Sequence, residues 1–314
     1  MDLGLTNEQI TIALGAAKAV ATADGRLEAH ERELLEAARK ALGHVGSIDD
    51  VEVPDPVAVA KALPERVTRE RLVQSMLLIA MMDGEIQPSE LTAIRRYAEA
   101  LHVDEPALKD LQRVAKGHTT VVKYDLLRRS AMVQTAARAA FETKGLKGLW
   151  SMAGSIYGLD VDPDLAWRYK RLGLLPEGSF GRAYWAHMTE RGFSFPGEHK
   201  GFPEELAKHD LAHVLAGYDT DPTGECEVVA FISGFMKTDP FGYLFMIFLH
   251  MQLGVHIFEG TPVEHMKLPA DRVVAALERG RNVNRDLYDP TWDFWADFPL
   301  PLTDVRRKYA IAES

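Results

Sequence analysis

Two stretches of this chain are one motif written twice. Ala23–Leu42 (ADGRLEAHERELLEAARKAL) and Met82–Leu101 (MDGEIQPSELTAIRRYAEAL) align without a gap, fifty-nine residues apart. Each reads Asp-Gly-x-[Leu/Ile]-x-x-x-Glu and then a helix closing on Ala-Leu. Each also follows an apolar helical run, ITIALGAAKAVAT in one case and LVQSMLLIAM in the other. A duplicated helix–turn–helix limits the fold more than composition does, because the apolar face of each copy can be covered by its twin. The front of the chain is therefore expected to be a small all-α domain of two helical pairs, joined by the Pro-containing stretch VEVPDPVAVAKALPE.

The turn invites comparison with a calcium loop. Asp-Gly-x-Ile-x-x-x-Glu fits positions five to twelve of an EF-hand, but positions one and three are Val20 and Thr22, or Ile79 and Met81. None of these carries a carboxylate, so half the oxygen ligands are missing and tight calcium binding is not expected. The simpler role is structural: Gly25 and Gly84 allow the turn, while Glu28, Glu31 and Glu90 favour the N-terminus of the next helix. The duplicated pattern resembles the tellurite-resistance TerB-like domain over roughly residues 8–116. That resemblance implies an all-helical module with a sensing or docking role, and it makes Asp24, Glu31, Asp83 and Glu90 an acidic cluster.

The helical pattern breaks at KGHTTVVKYD, where Gly117 precedes a β-branched run, and a boundary is placed there. The expected division is residues 1–117 and residues 118–314, with residues 1–117 able to fold alone. Helical periodicity resumes in LLRRSAMVQTAARAAFETKG, and GLDVDPDLAWRYKRLGLLPEGSFGRAYWAHM reads as loop-rich. At 314 residues the chain has room for two cores, and 46% hydrophobic with 26% charged residues describes a globular protein. A net charge of −10 argues against non-specific nucleic-acid binding. The single cysteine, Cys226, excludes an internal disulfide and a CxxC metal site, and it suits a reducing cytosol. The opening MDLGLTNEQI has no basic n-region, so a cytoplasmic protein is expected. No G-x-G-x-x-G, Walker A or G-x-S-x-G stretch is present.

Chemistry concentrates in HDLAHVLAGYDTDPTGE, residues 209–225. On a helix, His209 and His213 are four apart and share a face, the geometry that helical zinc sites use. The position after the first histidine is Asp210 and not Glu, so the general base of a zincin is absent. Asp210 can reach the same ion or orient a ligand. Glu225, in the first turn of the next helix, can complete a mixed nitrogen–oxygen site. Spacing alone leaves a second reading open, since a helical His pair also arises by chance and an early Glu suits the helix dipole.

The spacing His209-Asp210-x-x-His213-x(11)-Glu225 resembles the signature of the coenzyme Q biosynthesis protein 4 family. LLPEGSFGRAYWAHM ahead of it and WDFWADFPLPLTDVRRKYAI near the C-terminus are similar to that family's flanking segments, so the resemblance spans roughly residues 124–311. Ala212 departs from the family's aromatic before the second histidine, and YDTDPT is more acidic than usual. The resemblance implies an all-α fold and a divalent metal, generally zinc, on His209, Asp210, His213 and Glu225. It implies an apolar tunnel for a polyprenyl tail and peripheral association with the membrane surface. It also implies oxidative decarboxylation at C1 of a ubiquinone head-group precursor, with His209 and Asp210 catalytic. The expected partners are a polyprenylated quinone precursor or isoprenoid lipid, other quinone-biosynthesis proteins and a second copy of the chain.

On sequence alone the apolar segment after Glu225 reads as plain core; beside the metal motif it also fits such a tunnel and offers Phe235, Phe241, Phe245 and Phe248 as lipid contacts. Within it, Phe241–Phe258 is only eighteen residues long and is interrupted by His250, Gln252 and His256, which is marginal for a membrane span. Asp239 and Pro240 are expected to divide it into two helices. The competing functional reading is a non-catalytic scaffold that holds lipid intermediates for partner enzymes. A third, an HD-type phosphohydrolase, would need an upstream His (His187 or His199) and a downstream Asp such as Asp271, and their spacing does not recommend them.

Overall fold

The computed structural model describes residues 4–130, 161–257, 263–265 and 268–313, with residues 133, 134, 137, 138, 141 and 145. Most of the periodic stretch after residue 130 therefore lies outside the described residues, as does Phe258. Among the described residues the structure is all-α, with only two isolated bridges, Ser179–Pro301 and Leu253–His265. Two compact units form: Met1–Leu126 with Phe241–Glu278, and Leu127–Pro240 with Arg279–Ser314.

The first unit is built on the duplication. Helices α1 (Asn7–Ala21) and α2 (Ala29–Ala41) are one copy, and α4 (Arg66–Ile79) and α5 (Pro88–Leu101) are the other. α1 packs on α2, α4 and α5, burying Leu14, Val20, Leu35, Met76, Leu77 and Ile94. The two turns are built alike. Gly25 and Gly84 take φ of +94° and +81°, a region that side-chain-bearing residues avoid. Asp24 Oδ1 accepts from the Arg26 N–H at 2.8 Å, and Asp83 Oδ1 from the Glu85 N–H at 3.0 Å. Glu31 and Glu90 each reach back to the backbone N–H three residues earlier, at 2.9 and 3.1 Å, which satisfies a donor the helix start would orphan.

The connector adds a helix of its own, α3 (Pro56–Ala62), started by Asp55 and Pro56 and anchored by fully buried Val59 and Leu63. It reaches α1 at Gly15, where a Cβ would come within 2.2 Å of the Glu52 carbonyl oxygen. α6 (Pro106–Ala115) ends at Gly117 with φ +77°, and α7 (Thr119–Arg129) begins two residues later. The β-branched run expected to break the pattern is thus helical. Burial of Val122 and Leu126 outweighs the weak intrinsic preference of Thr and Val.

The stretch expected to be loop-rich is largely helical too. α8 (Pro163–Lys170) starts on an Asp162 cap, and α9 (Phe180–Glu190) on a Ser179 cap. An aromatic cluster holds them: Tyr184 stacks on Phe298 at 5.9 Å, and Tyr169 meets Trp295 at 4.8 Å. α10 (Lys208–Ala216) and α11 (Pro222–Phe235) follow, with α10 packed against both α9 and α11.

Asp239, at φ +53°, and Pro240 do separate two helices, and α12 (Pro240–Met251) returns the chain to the first unit. The polar residues of this apolar stretch have structural jobs there. Gln252 donates to the Met82 carbonyl and accepts from the Leu268 N–H, while His250 Nδ1 accepts from the Ile257 N–H. Among the described residues no helix is long and apolar enough to cross a membrane. α13 (Ala270–Arg281), α14 (Phe294–Asp297) and α15 (Leu302–Lys308) complete the chain, and α15 packs on α9 and α10.

Candidate metal centre

The second unit brings three of the four motif side chains to one point. His209 and His213 lie one turn apart on α10, as their spacing predicts. α10 stops at Gly217 with φ +78°, and the chain reverses through Tyr218–Thr220 into the Asp221 cap and Pro222 of α11. The reversal is tight: a Cβ on Gly224 would lie 2.0 Å from the Asp219 carbonyl oxygen. Arg191 of the α9 end pins it, donating to Thr220 Oγ1 and to Asp219 Oδ1, each at 3.0 Å. Glu225 follows directly and faces the histidines.

The donor atoms of His209, His213 and Glu225 converge within 4.8 Å of one another. His209 Nε2 is 3.1 Å from Glu225 Oε2, His213 Nε2 is 3.3 Å from Glu225 Oε1, and the two Nε2 atoms are 3.2 Å apart. A tetrahedral ion with bonds of about 2.0–2.1 Å has donor–donor edges of about 3.3–3.4 Å, so each of these separations is of coordination scale. His213 Nδ1 lies 3.2 Å from the Tyr218 carbonyl oxygen, which only an Nδ1–H can bond, so in the neutral ring Nε2 is a lone pair free to ligate, and in the imidazolium it is a donor to Glu225. The His213 side chain is fully buried, whereas His209 and Glu225 keep 26% and 23% exposure, so the centre is walled on one side and open on the other. Burial works against ionisation of Glu225, yet hydrogen bonds from His209 and His213 and their charge hold its carboxyl well below the usual range.

Asp210 stands outside the group of donor atoms that lie within 4.8 Å of one another. Burial raises its carboxyl, and charge from His209 and His213 opposes that. The phenylalanines offered as lipid contacts fall in different units. Phe235 is buried in the second, edge-on to Phe231 at 5.4 Å. Phe241, Phe245 and Phe248 are in the first, with Phe245 and Phe248 essentially unexposed. Asp24, Glu31, Asp83 and Glu90 do come together in the first unit: Glu31 and Glu90, each 3% exposed, hydrogen-bond to one another, both aspartates bear electrostatically on Glu31, and Asp83 bears on Glu90.

One neighbour of the centre escaped the motif. His187, on α9, stacks against His213 with ring centroids 5.6 Å apart and planes at 28°. Burial, with His213 and Arg191 nearby, pushes its imidazole down to about 3. It lies twenty-two residues before His209 in sequence, and no short spacing links the two.

A family model described as tellurite resistance protein TerB matches residues 49–113. The match takes in α3, α4, α5 and most of α6, including the second copy of the repeat, so this N-terminal part of the chain is TerB-like. No curated protein matches the chain.

Proposed function

We propose that the second unit is a divalent-metal centre, zinc by its donor set, that binds an oxygen anion of an aromatic acid and promotes loss of its carboxylate. The observation that carries this is the convergence of the His209, His213 and Glu225 donors within 4.8 Å of one another, with His209 and Glu225 partly exposed. The tautomer fixed by the Tyr218 carbonyl keeps His213 Nε2 directed at the ion, and Asp221 and Gly224 set the start of α11 so that Glu225 meets it. The exposed edges of His209 and Glu225 leave room for a head group beside them. Asp210, on the same turn as His209, is the group available to carry a proton. Bound there, a divalent ion supplies Lewis-acid stabilisation of negative charge on the substrate oxygen. The resemblance to the coenzyme Q biosynthesis protein 4 family supports a polyprenylated quinone precursor as that acid, with oxidative decarboxylation at C1 as the reaction: carbon dioxide leaves, a hydroxyl takes its place, and an external oxidant of the dioxygen class takes the two electrons, since zinc takes none.

Elemental analysis of the full chain should find about one zinc-class ion per molecule. A folded His209→Ala/His213→Ala double variant should lose it, and unchanged metal content would remove the assignment. Prenylated hydroxybenzoates of increasing tail length should bind progressively more tightly, by about 0.8 kcal/mol per methylene buried, until the site is full. A flat length dependence would sink the lipid part and leave the metal centre. Release of carbon dioxide by the metal-loaded protein separates an enzyme from a scaffold, which would bind the same acid without turnover.

A further inference from the structure

Helix α9 presents two buried polar tips that have no hydrogen-bond partner among the described residues, His187 Nε2 and Tyr184 Oη. They are three residues apart, hence on one helical face, and the helix packs against the one that bears the metal motif. Both side chains are more than nine-tenths buried, His187 at 7% exposure and Tyr184 at none. His187 stacks on His213 and interacts electrostatically with His209 and Glu225 as well. The Tyr184 hydroxyl bears on Asp210 and Glu204 in the same way. Buried polar groups are nearly always paired, so each of these two calls for a partner, His187 beside the donor cluster and Tyr184 beside Asp210.

That partner is not the ion as the side chains stand. The donor atoms within 4.8 Å of one another are those of His209, His213 and Glu225, and His187 is not among them. Among the described side chains none bonds these two atoms, so their partner is a buried water or a ligand atom held beside the centre.

We propose that His187 and Tyr184 are the ligand-facing donors of the centre. In this arrangement the His187 Nε2–H and the Tyr184 O–H bond the oxygens of a carboxylate or phenolate that reaches the buried, His213 side of the centre. The inference rests on the metal-centre reading and deepens it. It gives the site a preference for oxyanion-bearing aromatic acids that the three ligands alone would not confer, because a site built from polar donors rejects analogues that leave them unpaired.

The test uses full-length protein loaded with cobalt(II), whose visible bands report coordination, titrated with 4-hydroxybenzoate. His187→Phe keeps an aromatic ring against His213 and removes the nitrogen; His187→Leu serves if the larger ring strains packing against Phe193. Tyr184→Phe removes only the hydroxyl. We expect each variant to keep one cobalt with an unchanged resting spectrum and to bind 4-hydroxybenzoate on the order of tenfold more weakly, as loss of one buried donor implies. Unchanged affinity in folded, cobalt-loaded variants at both positions would overturn the proposal. Loss of cobalt from the His187 variants, matching His213→Ala, would overturn it in favour of His187 as a ligand. Failure of the unmodified protein to bind cobalt would instead remove the metal-centre reading, and this inference with it.

Discussion

Gly224 shows how much one residue can decide. It sits between the Asp221 cap and Glu225, and the chain doubles back so closely that a methyl group would meet the Asp219 backbone. Gly224→Ala should therefore leave the helices intact but shift Glu225, weakening metal binding about 10–100-fold, the usual scale when a ligand loses its support. Competition with a zinc chelator would measure it, and wild-type affinity would show that the reversal yields without moving Glu225. The Glu31–Glu90 pair makes a different prediction. Burial raises both carboxyls, and Glu90, further raised by its hydrogen bond with Glu31, reaches about 9. A carboxyl raised on folding contributes its stability fully below the unfolded value of 4.5 and loses it as pH climbs through about 9. The first unit should thus weaken steadily from about pH 5 to pH 9, whereas Glu90→Gln, whose amide can still donate to Glu31, should flatten that slope. Denaturation midpoints across this range would show it, and parallel curves for the two proteins would refute it.

At the scale of elements, α10 is informative because so little within it is self-sufficient. It is nine residues long and has no side-chain N-cap. Isolated helices of that length are marginal, so its stability is tertiary. Arg306 of α15 donates to the Leu215 and Val214 carbonyl oxygens, and Arg279 of α13 donates to that of Ala216. Together they satisfy the last carbonyls, which the helix leaves unpaired. Arg306→Met should cost about 1.5–3 kcal/mol, the range for hydrogen bonds to a charged group, and should lower metal affinity because the motif rides on this helix. Urea unfolding with and without zinc would test both effects; a loss of stability with undiminished zinc affinity would separate the helix end from the site. α12 illustrates the opposite case. Its strongly apolar sequence suits a lipid wall or a core equally well, and within its unit Phe245 and Phe248 are fully covered.

For the whole molecule, the first unit draws on two distant parts of the chain. Gln252 bonds the Met82 carbonyl, and the segment Phe241–Glu278 packs with Met1–Leu126. Residues 1–126 expressed without residues 241–278 should consequently keep helical content but melt earlier and bind a hydrophobic dye, since an apolar face is uncovered. A fragment melting at the temperature of the intact unit would show that the duplication suffices alone, as the repeat by itself suggests.

What sequence determined here is everything that spacing can carry. The Asp-Gly turns, the glutamates that reach back to cap α2 and α5, the shared face of His209 and His213, and the break at Asp239-Pro240 all depend on residues within a few positions of one another. Local geometry is common to every helix and turn, so such pairs can be read without knowing the fold. Tertiary structure alone decided the rest. It placed Glu31 against Glu90, set His187 beside His213, returned Phe241–Glu278 to the repeat, and made α7 of a β-branched run. Each depends on which surfaces bury one another across long separations, where the free energy comes from packing and desolvation and local pattern has little say.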